Sequence, residues 1–204
     1  MPQTFHSYSP AQGHGLKYDP FKALIAPRPI GWISSVSGDG AVNLAPYSFF
    51  NALCASPPII GFTSFGVKDS LRNITATGEF VHNCVSGDLA EKMNQTSCNF
   101  PHGINEMVEA GLESVASDLV VPPRVLAAHA AMECKLIETK NIADSAGNKT
   151  DCHLVLGEVV RIHIDQNYIN EGIVDEEKLG LAARLGYFNF SNVANLYAMR
   201  RPKV

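Results

Sequence analysis

Ile30-Gly31-Trp32-Ile33-Ser34-Ser35-Val36, then Ser37-Gly38-Asp39-Gly40, then Ala41-Val42-Asn43-Leu44-Ala45-Pro46-Tyr47-Ser48-Phe49-Phe50 is the stretch on which the fold turns. The first segment is short, apolar and rich in β-branched residues and tryptophan, which suits a strand. The second holds glycine and aspartate where a tight turn needs unusual backbone angles. Ala41 to Phe50 returns as a second strand, so the chain opens its folded part with a hairpin.

Working outward, Pro57-Pro58 sets an extended entry into a third strand, Ile59 to Ser64. A helix follows, with Asp69 or Ser70 as its cap, Leu71 and Ile74 at helical spacing, and Gly78 as its stop. Glu79 to Val85 reads as a strand. Asp88 to Gln95 reads as a short helix with Asp88 and Glu91 spaced as a capping box, and Ile104 to Ala110 as a third helix ended by Gly111. Ala130 to Lys140 and Cys152 to Asp165 are long strands joined by a turn at Asp144 to Asn148. In the second of these, Leu154, Leu156, Val160, Ile162 and Ile164 share an apolar face at period two. Strands outnumber helices and do not alternate with them. The expected class is therefore mainly β with short helices, a barrel with helical insertions rather than a doubly wound sheet. Residues 1–20 read as an N-terminal arm and residues 21–204 as a single domain with a C-terminal extension, its last stretch aromatic and irregular.

Composition narrows the function. The 204 residues carry a formal net charge of only -4, with no basic block, so a nucleic-acid partner is not expected. No apolar run approaches the roughly 18 to 20 residues of a membrane span. Met1 to Gly15 lacks the pattern of a secretion signal. Five cysteines, an odd number with no C-x-x-C pair, favour reduced thiols and a cytoplasmic setting. No dinucleotide fingerprint, phosphate loop, nucleophile elbow or H-E-x-x-H pair is present, so neither a catalytic side chain nor a metal site is expected.

Two stretches could carry chemistry. In Ser64-Phe65-Gly66-Val67-Lys68-Asp69-Ser70, a strand end and a glycine turn lead to a helix start bearing Lys68 and Ser70. Free N–H groups, a positive dipole end, a lysine and a hydroxyl suit a phosphate. Simple helix capping by Asp69 or Ser70 accounts for the same residues. In Tyr47-Ser48-Phe49-Phe50-Asn51, aromatic cover and small polar groups stand at a strand end, as a broad, partly polar ring requires. A plain core strand accounts for that pattern as well.

The ordered combination is more specific. Ala26-Pro27-Arg28-Pro29-Ile30-Gly31-Trp32-Ile33-Ser34, Asn43-Leu44-Ala45-Pro46-Tyr47-Ser48-Phe49-Phe50-Asn51, Lys68-Asp69-Ser70-Leu71-Arg72-Asn73 and Gly78-Glu79-Phe80-Val81 resemble the flavin reductase-like, or flavoredoxin-like, family with its FMN-binding split-barrel fold. Glu133-Cys134-Lys135-Leu136, Gly157-Glu158-Val159-Val160 and Arg184-Leu185-Gly186-Tyr187 match its later landmarks in order, so the resemblance runs from about Leu16 to Tyr187. It implies FMN, ahead of FAD, bound at a homodimer interface. By that similarity Ser48, Phe49, Phe50 and Asn51 contact the ring and ribityl chain. Ser64, Lys68, Asp69 and Ser70 surround the phosphate, Asp69 through its backbone, while Trp32 and Tyr187 are pocket walls. The tail departs from the pattern: Phe188-Asn189-Phe190 stands where relatives carry Asp-Tyr. The implied chemistry is hydride transfer from NADH or NADPH as a transient substrate to the flavin, and then to an acceptor. A flavoredoxin-like electron carrier without nicotinamide turnover is the alternative, and a binding module that has lost flavin is a third.

Overall fold

A computed structural model describes residues 3–202. Its centre is a seven-stranded antiparallel sheet built from β1 (Gly31–Val36), β2 (Val42–Tyr47), β3 (Phe50–Ala55), β4 (Pro58–Phe65), β5 (Glu79–Asn83), β6 (Ala130–Ala143) and β7 (Lys149–Ile164). The spatial order is β2-β1-β5-β6-β7-β4-β3. Helices α1 (Asp69–Thr77), α2 (Ala90–Gln95) and α3 (Glu106–Glu109) interrupt it. Residues 3–20 carry no regular element beyond a single 3-10 turn at Pro10–Gln12.

The opening hairpin forms as expected, with Gly31 opposite Tyr47 and Val36 opposite Val42. Ser37 donates its N–H to the Ala41 carbonyl at 2.9 Å, and Gly40 takes the left-handed φ of 92° that the turn requires. The second strand does not continue to Phe50, however. It ends at Tyr47, and after Ser48-Phe49 the chain begins β3 at the opposite edge of the sheet, where Phe50 pairs with Phe62. Thr63 N–H donates to the Phe49 carbonyl at 2.9 Å. Two residues thus carry the chain from one edge of the sheet to the other, which curls the sheet into a barrel with a seam. Strand periodicity cannot register such a crossing, because both sides of it remain extended and apolar.

Both faces of β1 are buried, and its alternation serves two cores. Ile33 points to a cluster with Tyr47, Ile60, Phe62, Leu71, Ile74, Phe80 and Val155, the barrel interior. Trp32 points to the other side, with Leu44, Leu89, Met93, Met107 and Leu112, beneath the helical insertions. On β7 the inward set is Val155, Gly157 and Val159, while Leu154, Leu156, Val160, Ile162 and Ile164 are half-buried or exposed. Apolar residues stand on both faces of this strand, so period two alone does not say which turns inward; bulges near Gly157 and Val159 also break its period. The outward face leaves Val160 and Ile162 exposed.

The helix ends follow turn chemistry only in part. Gly78 closes α1 with a left-handed φ of 74°. The segment expected as one helix from Asp88 is a 3-10 turn, Gly87–Leu89, running into α2. No capping box forms there, because Asp88 accepts from the Ser86 hydroxyl instead. The third helix is shorter than expected, with Asn105 accepting from the Met107 N–H as its cap.

Candidate functional site

The start of α1 is the chemical centre of the molecule. After β4, Gly66 turns the chain with φ 76°, and Lys68 occupies the N-cap position in extended backbone. No side chain caps this helix end. The expected caps are engaged elsewhere. Asp69 binds Arg72 and, through Oδ1 at 2.8 Å, His102 Nδ1. Ser70 Oγ lies 2.8 Å from the Asn43 amide. The first turn of α1 therefore keeps its N–H groups facing an open cavity, with Lys68 beside them.

That cavity, about 420 Å³, lies between β2, α1 and the loop from Thr96 to His102. At its base stands Tyr47, almost fully buried, whose hydroxyl has no hydrogen-bond partner. The hydroxyls of Ser64 and Ser70 lie beside it, and burial pushes the phenol's pKa up. Ser64 itself donates to the Gly66 carbonyl at 2.9 Å. A neutral phenol with a free donor, next to an uncapped helix end and a lysine, is complementary to a phosphate and fits FMN.

A buried carboxylate backs this site. Glu106 accepts the Leu44 N–H at 2.8 Å through Oε2. With the Asn43 amide nitrogen turned toward it, Oε1 accepts a further bond at 3.2 Å, and the Asn43 oxygen accepts from Ser70. Burial pushes the Glu106 carboxyl above its ordinary pKa, and the charge on Asp69 adds to the effect.

Two more cavities continue the track. The middle one, about 210 Å³, shares Pro46 and Ser97 with the first and is completed by Ser48, Met93, Arg184 and Phe190. The third, about 430 Å³ and mostly apolar, shares Ser48 with the middle one and contains Phe49, Phe50, Asn51, Phe21 and Leu154. Arg28 stands 5.9 Å above the Phe49 ring and fastens the neighbouring segments through the Ile25 and Leu185 carbonyls.

The sequence-derived residues thus fall on one track, not in one pocket. Tyr47, Lys68, Asp69 and Ser70 line its first part, and Ser48, Phe49, Phe50 and Asn51 its last. Ser64 is buried beneath the first part. Trp32 lines none of the three: it is fully buried and donates Nε1–H to Thr96 Oγ1 at 2.9 Å, supporting the loop that does. Tyr187 stands on the N-terminal side against Tyr18, with ring centroids 5.7 Å apart. Sequence reading missed Asn43 and Glu106, whose contacts span separate elements, and the loop from Thr96 to His102. It also missed Arg184 and Phe190, which stack at 4.3 Å. The divergent tail therefore lines the track through Phe190.

Other polar clusters are internally paired. Asp118, Glu133 and His163 lie within metal-binding reach of one another. Even so, both Glu133 oxygens accept backbone N–H groups, His163 sits 2.6 Å from Oε1, and Arg161 grips Asp118. Glu158 lies opposite Lys135 on the neighbouring strand.

Comparison with known proteins identifies relatives in sequence and in fold. A protein of Aquifex aeolicus with no assigned activity is 37% identical over 169 residues, covering 80% of this chain and 83% of its own. The structure of nitrilotriacetate monooxygenase component B from Bacillus cereus is 29% identical, with a TM-score of 0.87 over 97% of this chain and 100% of that one. The 2-nitrobenzoate 2-nitroreductase NbaA of Pseudomonas fluorescens is 28% identical, with a TM-score of 0.79 over 89% of this chain and 88% of that one. The fold is the split barrel. The model of the flavin reductase like domain matches residues 24–189, and the chain belongs to that family.

Proposed function

We propose that this chain binds FMN along the track from Lys68 to Asn51 and acts as a flavin-dependent reductase, taking electrons from NADH or NADPH and passing them to an acceptor. The observation that carries the reading is the unpartnered Tyr47 hydroxyl beside the uncapped start of α1. Lys68, Ser70, the Tyr47 hydroxyl and the first N–H groups of α1 would hold the phosphate. Pro46, Ser48 and Phe190 would line the path of the flavin, and Phe49, Phe50 and Asn51 would meet its ring. The bound flavin supplies the two-electron chemistry, so the protein's task is to orient it and keep water from it. No side chain is needed as acid or base.

The apolar third cavity gives a nicotinamide or acceptor a place beside the ring. A homodimer is part of the proposal: Leu53, Ile137, Val160 and Ile162 are exposed apolar residues on the strands of the barrel wall. All five cysteines are unpaired, which fits a reducing compartment such as the cytoplasm.

The test is flavin binding by the Lys68→Ala/Ser70→Ala double variant. FMN affinity should fall at least roughly tenfold, with riboflavin affinity unchanged, for lost charge-assisted bonds. Equal FMN affinity overturns the reading. Identification of released flavin separates FMN from FAD. Protein that holds FMN yet leaves NADH and NADPH unoxidised is an electron carrier, not a reductase.

A further inference from the structure

We propose that Glu106 controls, through the Asn43 amide, whether the Ser70 hydroxyl can donate to a bound phosphate, so that FMN binding takes up a proton at Glu106. The inference rests on the phosphate position proposed above. Its basis is a three-residue chain, Glu106–Asn43–Ser70, that starts on a buried carboxylate and ends in the cavity.

The two orientations of the Asn43 amide are not equivalent. When Glu106 is ionised, both its oxygens are acceptors. The Asn43 nitrogen then turns to it at 3.2 Å, and the Asn43 oxygen takes the Ser70 hydroxyl proton at 2.8 Å. Ser70 has one proton, so in this state it faces the cavity only with lone pairs, which repel a phosphate. When Glu106 gains a proton from solvent on Oε1, it becomes a donor across the same separation and the Asn43 oxygen turns toward it. The Asn43 nitrogen then donates to Ser70 Oγ at 2.8 Å. This frees the Ser70 O–H to point into the cavity. The bond from Leu44 N–H to Oε2 is kept in both states. The rotation gives up a second, longer contact, in which the Asn43 oxygen accepts the Leu44 N–H at 3.3 Å. No heavy atom outside the amide needs to move, and the proton count balances: one is taken up at Glu106 and none is lost.

Charge works in the same direction. Burial already favours the neutral acid at Glu106, and Asp69 adds to this. A phosphate placed at the start of α1 adds further negative charge nearby. The remaining titratable or charged groups around the cavity are Tyr47 from β2, Lys68 and Arg72 beside α1, and Cys98 and His102 from the loop. Tyr47 is held neutral by burial. Asp69 is shared between Arg72 and His102. Asn43 is the polar side chain that joins the carboxylate to Ser70.

Binding calorimetry in two buffers of different ionisation enthalpy tests the relay on the full chain at about pH 8. Wild-type protein should take up a substantial fraction of one proton per FMN beyond that due to the ligand's own phosphate, and riboflavin should take up none. Glu106→Gln keeps the donor permanently toward Asn43. It should abolish that uptake and bind FMN roughly three- to tenfold tighter at about pH 8, the worth of one regained hydrogen bond. The advantage should shrink as pH falls into the acid range, because a growing fraction of wild-type Glu106 is then protonated without FMN. In a Ser70→Ala background, Glu106→Gln should leave FMN affinity unchanged. Equal affinity of wild type and Glu106→Gln across the pH range, or uptake that persists in the variant, overturns the inference while leaving the phosphate site standing. Failure of the Lys68→Ala/Ser70→Ala test removes the site itself. If Glu106→Gln does not fold, uptake by wild type but not Ser70→Ala supports the relay, and equal uptake by both overturns it.

Discussion

The Phe50 ring lies across Gly31 so closely that a Cβ at position 31 would stand 2.5 Å from Phe50 Cδ2 and 2.8 Å from Cγ. This contact brings the first residue of β3 over the first residue of β1, and the Phe50 ring also packs on His82, with centroids 4.5 Å apart. A glycine is required here by lack of space, since its backbone is ordinary. Gly31→Ala should therefore destabilise the fold by about 1–3 kcal/mol, the usual cost of overpacking. Urea unfolding measures it, and pairing the change with Phe50→Leu should recover part of the loss. An unchanged midpoint would show that the ring moves aside freely.

His82 is buried, its Nδ1 has no partner, and burial lowers its pKa from an imidazole's ordinary 6.5 to about 4. Protonation then favours the unfolded chain, which binds the extra proton first. This contribution is complete above pH 6.5 and is lost as pH falls toward 4, by roughly 3 kcal/mol. Urea midpoints of wild type and His82→Gln, compared at pH 7 and pH 4.5, read it as a difference. The wild type should lose more stability than the variant, and parallel loss in both would mean that His82 charges freely.

Tyr47→Phe removes a hydroxyl that has no partner in the protein. Without ligand the variant should be as stable as wild type or slightly more so, because no hydrogen bond is broken. FMN affinity should drop roughly tenfold while riboflavin affinity holds. A thermal melt with each ligand distinguishes the two effects, and a destabilised apoprotein would place the hydroxyl in a structural bond instead.

Val160 and Ile162, both exposed on β7, test self-association. Val160→Glu with Ile162→Glu should convert a dimer to a folded monomer in analytical ultracentrifugation, since charges buried in an apolar interface cost several kcal/mol. A dimer that survives both changes uses another face.

Much of this was legible in the residues themselves. The hairpin at Ser37 to Gly40, the stop at Gly78 and the turn at Asp144 to Asn148 depend on local backbone chemistry, and each formed where its sequence indicated. What depended on distant partners was not legible. The strand interruption at Ser48-Phe49 needs the opposite edge of the sheet, and the inward face of β7 is decided by the Phe80 ring filling the space above Gly157. Glu106 stands in the first turn of α3, yet its carboxylate reaches the backbone of β2, a contact no local pattern registers. The family resemblance assigns Trp32 to a pocket wall, but its indole N–H binds Thr96 and its ring packs in the core.

Ser48 and Phe49 alone separate the strand at one margin of the sheet from the strand at the other. A ligand lodged at that junction touches both margins and acts as a clasp. Its escape then requires the wall to gape along this line, so its residence time is tied to local breathing of the barrel. Amide hydrogen exchange in β2 and β3 should slow on loading before it slows anywhere else.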